Sequence, residues 1–459
     1  MPMPSPPSLS QQRLLLLLLL LHPSLASVAS SGTAAARHGG KTCVLTDYNA
    51  SGDGRTFDTA AIDAALHDCS SGGVVILPGP NTFLTAGGHR LHSNMGFEIQ
   101  VGAVLLQTPD QTKGSAANAS ISCGTSAVPP FAGFASGCAV LSAQNASNVS
   151  IYGAGAIRGA GSPATCWNWN GAAFANLLKF RNIDRLRISG IRIENPCGWT
   201  IHPQQCQDVH IHDIAISCEP RQYHYNTDGI DPDSCVDVLI EDVDYTCGDD
   251  AVAIKASYPG CEPTSNITIR RLASGGRGGF TIGSEIQGGA SDITFEDCTS
   301  TGVSGIRISQ QAQRGGFLRN LQFRNISFDF GATYAFEKKT FVLTLQQSYA
   351  AEDDGKVCPG YSPQPTMEGV HFHNLTVVRA PPNLTIGDLS CDRADPPACT
   401  NVTIEGLVFL DVPMPQPLTC SVEPGSQCKG GNCSSVHGLV TGVSPPTDSR
   451  CVLLPNRPT

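Results

Sequence analysis

The sequence predicts an all-β protein, a parallel β-helix with a capping helix at its N-terminal end. Three observations support this prediction. One short cassette recurs along much of the 459-residue chain, apolar and polar residues alternate inside it, and helical patterns are scarce. In a parallel β-helix each coil pairs its strands with the coils before and after it, so one repeated strand pattern builds a single long core.

The cassette begins with a polar residue, often Asn or Asp, and continues with two apolar residues on either side of one other residue. From Leu186 to Leu321, its first apolar residues follow one another after 23, 29, 29, 26 and 28 residues. This period is too long for hairpins and too short for βαβ units, and the alternative of an antiparallel sandwich expects turn signals every ~8–12 residues. The cassettes lie at residues 148–151, 186–188, 208–211, 237–240, 266–269, 292–295, 320–323, 369–372 and 401–404.

The clearest amphipathic helix spans residues 56–69, where Ala60, Ile62, Ala65 and Leu66 recur at helical spacing. The open end of a stacked solenoid exposes apolar residues unless a terminal element covers it. We therefore expect this helix to cap the N-terminal end of the β-helix.

The sequence pattern divides the chain into three segments. Residues 1–29 are typical of a signal peptide, because Arg13 precedes a leucine run at 14–21 and small residues follow. Eight leucines are too few to span a bilayer, so we expect a secreted, extracellular or cell-wall protein without membrane attachment. Residues 30–412 carry the β-helix, and residues 413–459 form a Cys- and Pro-rich tail expected to pack on the β-helix or extend it.

The composition indicates an extracellular protein, expected to be a monomer, without a nucleic-acid partner. The formal net charge is -10, so there is no basic excess. In an oxidising compartment, pairs such as Cys391 with Cys399 or Cys428 with Cys433 can close local loops, and the odd total of 19 cysteines leaves at least one thiol free or bonded to another chain. Ten Asn-x-Ser/Thr sequons favour a glycosylated surface: Asn49, Asn118, Asn145, Asn148, Asn266, Asn325, Asn374, Asn383, Asn401 and Asn432.

Two successive coils have an unusual density of carboxylates. Residues 226–233 read NTDGIDPD, and residues 247–255 read CGDDAVAIK. Asp228 and Asp249 are 21 residues apart, which is close to one coil. Equivalent positions on successive coils lie ~4.8 Å apart. We therefore expect Asp228, Asp249 and Asp250 to cluster on one face of the solenoid, where like charges raise the pKa of one carboxyl group.

Clustered aspartates supply the groups that hydrolysis of a glycosidic bond needs. One carboxylic acid protonates the leaving oxygen, and one carboxylate activates water or attacks the anomeric carbon. Two alternatives stay open from the residues alone. Aspartates are common in turns because they hydrogen-bond the local backbone, and the same acids are suitable ligands for Ca²⁺.

The two acidic coils resemble the signature of glycoside hydrolase family 28, the polygalacturonase-type glycosidases. The matching motifs are NTD at residues 226–228 and GDD at residues 248–250. The resemblance extends over nearly the whole chain after the signal peptide. Its further matches, in order, are GDG at 52–54, TAAI at 59–62, GAGAIRG at 153–159, Trp167, Trp169 and NPCGWTIH at 195–202.

The resemblance implies an inverting hydrolase of pectin, with a right-handed parallel β-helix of the pectin-lyase-like type and no metal or other cofactor. The substrate that it implies is a pectic polysaccharide with α-1,4-galacturonosyl linkages. By resemblance, Asp249 is the general acid, and Asp228 with Asp250 holds and deprotonates water. Asn226 is assigned to substrate binding. Asp231 is assigned to the same cleft as a supporting polar residue, with a turn-forming aspartate as the plain alternative.

Two positions depart from the family pattern. Where the family has Gly-His-Gly, this chain has Arg277, whose guanidinium cannot transfer protons near neutral pH. Where the family has Arg-Ile-Lys, a clamp for the galacturonate carboxylate, this chain has Arg307 and Ser309, so one cation is missing. An acidic protein repels a polyanion unless its cleft is locally positive. We therefore assign Arg277, Arg307 and Lys255 to substrate binding, with Arg314 as a further candidate cation.

Other functions stay open at this point. A binding protein that kept the groove but lost turnover is suggested by the missing histidine and lysine. A pectate lyase shares the β-helix but needs Ca²⁺ and a base for β-elimination, and the ordered matches to hydrolases rank it lower. A related pectic polymer such as rhamnogalacturonan is the alternative substrate.

Overall fold

The described part of the chain is a right-handed parallel β-helix, as the sequence predicts. The predicted signal peptide and most of the predicted tail fall outside the described residues, and so does Trp169. The computed structural model describes residues 40–108, 139–168, 176–219, 226–257, 260–310, 314–331, 341–346, 357–379, 384–390, 399–411 and 436–441.

The parallel strand pairings run in three columns along the solenoid. The first column contains the predicted cassettes, and each pairs in register with the next, so that Val209, Val238 and Ile267 lie on successive coils. Strand β26 (Val436–Thr441), within the Cys- and Pro-rich tail, continues this column beyond β25 (Cys399–Asp411). The first column consists of β1 (Thr42–Val44), β3 (Val74–Leu77), β6 (Gly96–Ile99), β8 (Leu141–Gly153), β10 (Leu178–Ser189), β13 (Gln207–Ser217), β14 (Val236–Thr246), β16 (Thr264–Ser274), β18 (Ala290–Glu296), β21 (Phe317–Asp329), β23 (Thr366–Arg379), β25 (Cys399–Asp411) and β26 (Val436–Thr441).

The second column lies around the next corner of each coil. The long strands of the first column bend at this corner and contribute their C-terminal ends, as in the pairing of Val243 with Leu272. The strands that belong to this column alone are β2 (Asp53–Phe57), β4 (Thr82–Thr85), β7 (Val104–Gln107), β9 (Ala156–Arg158), β11 (Arg192–Glu194) and β19 (Thr299–Ser300).

The third column carries the two acidic coils. It begins with β5 (His89–Leu91) and the first residues of β8 and β10. It then passes through β12 (Ile201–Gln204) and single bridges at Ile230 and Asp233 to β15 (Val252–Ile254). The strands of this column are β5 (His89–Leu91), β12 (Ile201–Gln204), β15 (Val252–Ile254), β17 (Phe280–Ile282), β20 (Ser304–Ser309), β22 (Phe341–Gln346) and β24 (Thr385–Ser390).

The polar residue that opens the cassette has a structural reason. Most of these residues have φ between 51° and 58°, in the left-handed region that Asn and Asp tolerate better than other residues with a Cβ. Their side chains also form ladders between coils, as where the Asn320 amide donates to Asp292 over 2.7 Å. The residues with this conformation are Asn148, Asp208, Asp237, Asn266, Asp292, Asn320 and Asn401.

The second apolar position of the cassette builds the most regular part of the core. Phe295, Phe323 and Phe372 lie on successive coils, with centroids 5.2 Å apart in both pairs and nearly parallel rings. All three side chains are fully buried. Each coil therefore depends on its neighbours to cover its apolar face.

The predicted capping helix is present as α1 (Thr59–Asp68), three residues shorter than expected at its N-terminal end and one residue shorter at its C-terminal end. Ile62, Ala65 and Leu66 are buried against the first coils, whereas Ala60 is exposed. At 100° per residue, Ala60 lies on the opposite side of the helix from Ile62, which explains why it is left out of the buried face. Two short 3-10 helices, Leu45–Tyr48 and Cys166–Asn168, complete the helical content of the described residues.

Two disulfides join residues about one coil apart, one anchors the cap, and Cys261–Cys358 joins residues 97 positions apart. Cys206, Cys235 and Cys298 are buried free thiols, and both short-range pairs suggested by the sequence involve cysteines outside the described residues. Within the described ranges, no helix has the length and apolar composition needed to cross a lipid bilayer. Among the described cysteines, the disulfides are Cys43–Cys69, Cys166–Cys197, Cys218–Cys247 and Cys261–Cys358.

Replacing Phe323 by alanine should destabilise the protein by about 3–5 kcal/mol, because the cavity opens between two stacked rings that cannot both move in to fill it. Denaturation in guanidinium chloride, followed by far-ultraviolet circular dichroism, measures this change. Gln322→Ala is the control on the same strand, and its half-exposed side chain predicts a loss below about 1 kcal/mol. Equal losses for the two variants would contradict the stacked-coil core.

Candidate active site

The third column brings the aspartates of both acidic coils together. Ile230 bridges Val252 in parallel register, so the residues two positions earlier, Asp228 and Asp250, occupy equivalent places on adjacent coils. One carboxylate oxygen from each of Asp228, Asp249 and Asp250 lies within 4.8 Å of the others. The three side chains cluster as their spacing predicts, with Asp250 rather than Asp249 as the register partner of Asp228.

Backbone and hydroxyl groups hold the two acidic turns against each other. The Asn226 amide N–H donates to Oδ2 of Asp249 over 2.8 Å, and the Gly248 N–H donates to the hydroxyl of Thr227 over 3.0 Å. The hydroxyl of Tyr245 lies 2.8 Å from the Thr227 carbonyl and 2.9 Å from the Asp249 carbonyl. Tyr245 therefore ties the main chain of one acidic coil to that of the next.

Burial raises the pKa of two of the clustered carboxyl groups. Asp228 is buried, and desolvation followed by the neighbouring charges of Asp231 and Asp249 raises its pKa well above the usual value. Desolvation and then the charge of Asp250 raise the pKa of Asp249, and the charge of Arg277 opposes this rise. Because these groups interact, they titrate as a coupled cluster that retains a proton above the usual pH range of aspartate.

Two arginines lie against the cluster. Arg307 donates to Oδ1 of Asp250 over 2.5 Å. The guanidinium of Arg277 lies 3.8 Å from Oδ2 of Asp249, and its side chain is 24% exposed. These two fixed cations already balance charge on two of the three aspartates, which favours acid–base chemistry over the calcium site that the residues alone left open.

Lys255 and Asp231 lie deeper than the sequence suggests. The Lys255 ammonium is 3.2 Å from Glu285, 3.7 Å from Asp231 and 4.3 Å from the centroid of the Trp199 ring. Asp231 is fully buried, and neither of its carboxyl oxygens has a hydrogen bond within the described residues. Desolvation raises the pKa of Asp231 well above its usual value, and the charge of Lys255 opposes this shift.

A second buried pair lies beside the cluster on the same face. His202 Nε2 is 3.3 Å from Oδ2 of Asp233, whose other oxygen accepts the Ser257 N–H over 2.8 Å. Desolvation lowers the pKa of His202. Burial alone would raise the pKa of Asp233, but its hydrogen bond and charge interaction with His202 outweigh burial and lower it.

Two other positions singled out in the sequence, Arg314 and Ser309, are buried. Ser309, in place of the lysine of the family, is 1% exposed. Sequence reasoning missed Tyr245 and Glu285. Tyr245 stands at an inward position of β14, between Ile216 and Ser274 on the adjacent coils, and a tyrosine at an inward position is the signal that marks it.

A parallel β-helix with carboxylates clustered from two adjacent coils supplies the groups that acid–base hydrolysis of a glycosidic bond requires, which is the chemistry of a glycosidase. The model of glycosyl hydrolases family 28 matches residues 132–408. The chain belongs to this family, which confirms the resemblance drawn from its motifs.

Relatives and solved structures agree with this assignment. A probable polygalacturonase from Vitis vinifera is 27% identical over 433 residues, which cover 90% of this chain and 80% of the relative. An endo-polygalacturonase from Pectobacterium carotovorum is 31% identical over 288 residues, which cover 58% of this chain and 68% of the relative. The structure of a polygalacturonase from Erwinia carotovora aligns with a TM-score of 0.63 at 20% identity over 87% of this chain and 100% of that one, so it supports the fold.

Replacing Arg277 by methionine should raise the pKa of Asp249, because the variant removes a cation that lowers it. The expected change is up to about 1 pH unit for a partly exposed guanidinium at this distance. A titration followed by ¹³C NMR of labelled aspartate carboxyl carbons measures it, with Asp249→Asn used to assign the signal. Arg271→Met is the control, since Arg271 pairs with Asp242 and Glu241. A fall in the pKa of Asp249, or an equal rise in the control, would contradict the electrostatic assignment.

Proposed function

We propose that this chain is a secreted polygalacturonase-type hydrolase that cleaves α-1,4-galacturonosyl linkages of pectin. The observation that carries the proposal is the cluster of three carboxylates on adjacent coils in a member of a glycosidase family. The relatives described above are named polygalacturonases, which supports a pectic polysaccharide as the substrate. Four disulfides among the described cysteines support passage through an oxidising, secretory compartment.

Asp249 is the proposed general acid. Its raised pKa keeps a proton available to the leaving oxygen, and its side chain is 13% exposed, compared with 10% for Asp250. The Asn226 N–H, which donates to Oδ2, orients the carboxyl group. A proton donor needs this combination of access to the substrate and a pKa above the ordinary aspartate range.

Asp228 and Asp250 are the proposed pair that holds and deprotonates the attacking water. They occupy register positions on adjacent coils, about one strand spacing apart. Oδ1 of Asp228 has no hydrogen bond within the described residues, so this oxygen is available to accept one from water. Arg307 donates to Oδ1 of Asp250 and fixes the orientation of the second carboxylate.

Substrate binding is assigned to Asn226, Arg277 and Arg307, which border the aspartates. A guanidinium suits a uronate because it can donate two parallel hydrogen bonds to one carboxylate. The substitution of Ser309 for the family's lysine removes one cation from the clamp. This specific change favours a second candidate substrate, a related pectic polymer such as rhamnogalacturonan, in which fewer sugars carry a free carboxylate.

The Asp249→Asn variant should lose about 10²- to 10⁴-fold in kcat on polygalacturonate while keeping its fold, because the amide cannot donate the catalytic proton in the same way. Reducing-end release by the mature protein, recovered from the medium of a secretory host, measures the rate on polygalacturonate, methyl-esterified pectin and rhamnogalacturonan. Asp244→Asn, an exposed aspartate on the same coil, is the matched control and should retain native activity.

Three outcomes of this assay decide between the functions. Release of reducing ends by the native protein, lost in Asp249→Asn alone, supports the proposal, and the substrate with the highest kcat/KM identifies the polymer. Binding to pectin without product under any condition indicates a binding protein and contradicts it. Unsaturated products that absorb in the ultraviolet and require Ca²⁺ indicate a lyase.

The reaction should invert the anomeric configuration. One oxygen from each of the three aspartates lies within 4.8 Å of the others, a closer approach than the ~6.5–9.5 Å between the two carboxyl groups of most inverting glycosidases. We attribute the difference to the position of the attacking water. Here Asp228 and Asp250 hold the water between them, whereas in most inverting enzymes a single base carboxylate holds it. Proton NMR of the first products should therefore show the β-anomer from an α-linkage. Initial formation of the α-anomer would show retention and contradict the assigned roles.

A further inference from the structure

A buried ion pair lies directly behind the carboxylate cluster, and the proposed mechanism does not use it. Lys255 and Glu285 are 4% and 6% exposed, and their charged groups are 3.2 Å apart. The hydroxyl of Ser284 donates to the other oxygen of Glu285 over 3.1 Å. A buried pair of opposite charges carries a large desolvation cost, so such a pair is weak evidence for a role in stability alone.

The fold aims the ammonium of Lys255 at the carboxylates. Lys255 lies one residue beyond β15, in register with Asp233 on the preceding coil. From this position its Nζ reaches to 3.7 Å from Asp231, over a Trp199 ring that faces it at 4.3 Å. The ring, Glu285 and Asp231 surround the ammonium on three sides.

The charged groups that interact with Lys255 lie around the carboxylate cluster. The carboxylates of Glu285, Asp231, Asp228 and Asp250 all act on it, and its own charge acts on His202. Burial opposes the ammonium charge, but the four carboxylates outweigh burial and raise the pKa of Lys255. The lysine therefore stays protonated over the whole pH range in which the aspartates titrate.

We propose that Lys255 is a positioning residue whose buried ammonium, held between Glu285 and Asp231, sets the charge of the carboxylate cluster and does not bind the substrate. Its side chain is 5% exposed, and its ammonium already has two carboxylate partners within 4 Å. A uronate would have to displace one of these partners to reach it. The positive charge instead favours the ionised forms of Asp228 and Asp231, whose pKa values it lowers.

The role proposed for Lys255 predicts the direction in which the pH dependence of activity shifts when its charge is removed. Where activity is the readout, this role rests on the proposed function. The water-activating carboxylates must be ionised, so activity is lost as the pH falls through the pKa of the coupled group. Removing the cation in Lys255→Met raises that pKa. The acidic limb of kcat/KM should move to higher pH by about 1 to 3 units, with KM at the new optimum within about twofold of native.

Two single variants separate charge from structure. Lys255→Arg keeps the cation, so its acidic limb should stay at the native position even if kcat falls. Glu285→Gln keeps Lys255 and removes a negative charge that raises the pKa of Asp231, so its limb should lie at the native pH or below it. Circular dichroism and thermal melting establish that each variant is folded.

A double variant keeps the test available if Lys255→Met does not fold, since Glu285 would then be buried without its partner. Lys255→Met combined with Glu285→Gln removes both charges of the pair. Its acidic limb should lie above that of Glu285→Gln alone, because Lys255 is the member that lies next to Asp231.

The contradicting results are equally specific. A large rise in KM with an unmoved acidic limb in Lys255→Met would show that Lys255 binds substrate, and an upward shift in Lys255→Arg would show that shape rather than charge matters. Carboxyl ¹³C NMR titration of Asp228 and Asp231 in native and Lys255→Met protein measures the same shift without substrate. If the native protein hydrolyses no pectic polymer, the proposed function fails. The titration still tests the inference in that case, and an unchanged titration contradicts it.

Discussion

In-register stacking of parallel coils at one strand spacing is the constraint on which the rest of this structure depends. It places Val209, Val238 and Ile267 on top of one another in the core. The same register places Asp228 against Asp250 in the third column. A solenoid therefore concentrates like residues whether they are apolar or charged, and the chemical site is a consequence of the packing rule.

Carboxylates that are clustered in this way repel one another, and three cations offset the repulsion. Arg307 and Arg277 lie on the more exposed side of the cluster, against Asp250 and Asp249. Lys255 lies behind it, between Asp231 and Glu285. The two arginines, whose planar guanidinium groups can donate two parallel hydrogen bonds, are therefore on the side from which a uronate would approach. The lysine is in the interior, where it acts as a fixed charge.

Much of the fold could be predicted because one pattern repeats. Alternation at the cassettes identified the strands of the first column, and the Asn and Asp residues that open them mark corners with positive φ, as at Asn320. The cap was predicted at residues 56–69, but Ala60 proved to lie off the buried face of α1. Helical spacing alone does not determine which face of a short, alanine-rich helix is buried.

The site was predictable to the extent that it depends on the backbone register, and less so where it depends on side-chain reach. The clustering of the three aspartates followed from one coil of separation. The contacts of Tyr245 and the partnership of Lys255 with Glu285 did not, because a buried partner 30 residues away leaves no local signal. Spacing could not show that Lys255 is buried rather than exposed to the substrate.

The most direct test of the account is a crystal structure of the Asp249→Asn variant with a bound oligogalacturonate. The account predicts that the scissile glycosidic oxygen lies within hydrogen-bond distance, about 3 Å, of residue 249. It also predicts that the anomeric carbon faces Asp228 and Asp250, with a water between them. An oligosaccharide bound on another face of the solenoid, or with its glycosidic bonds away from all three aspartates, would contradict the account.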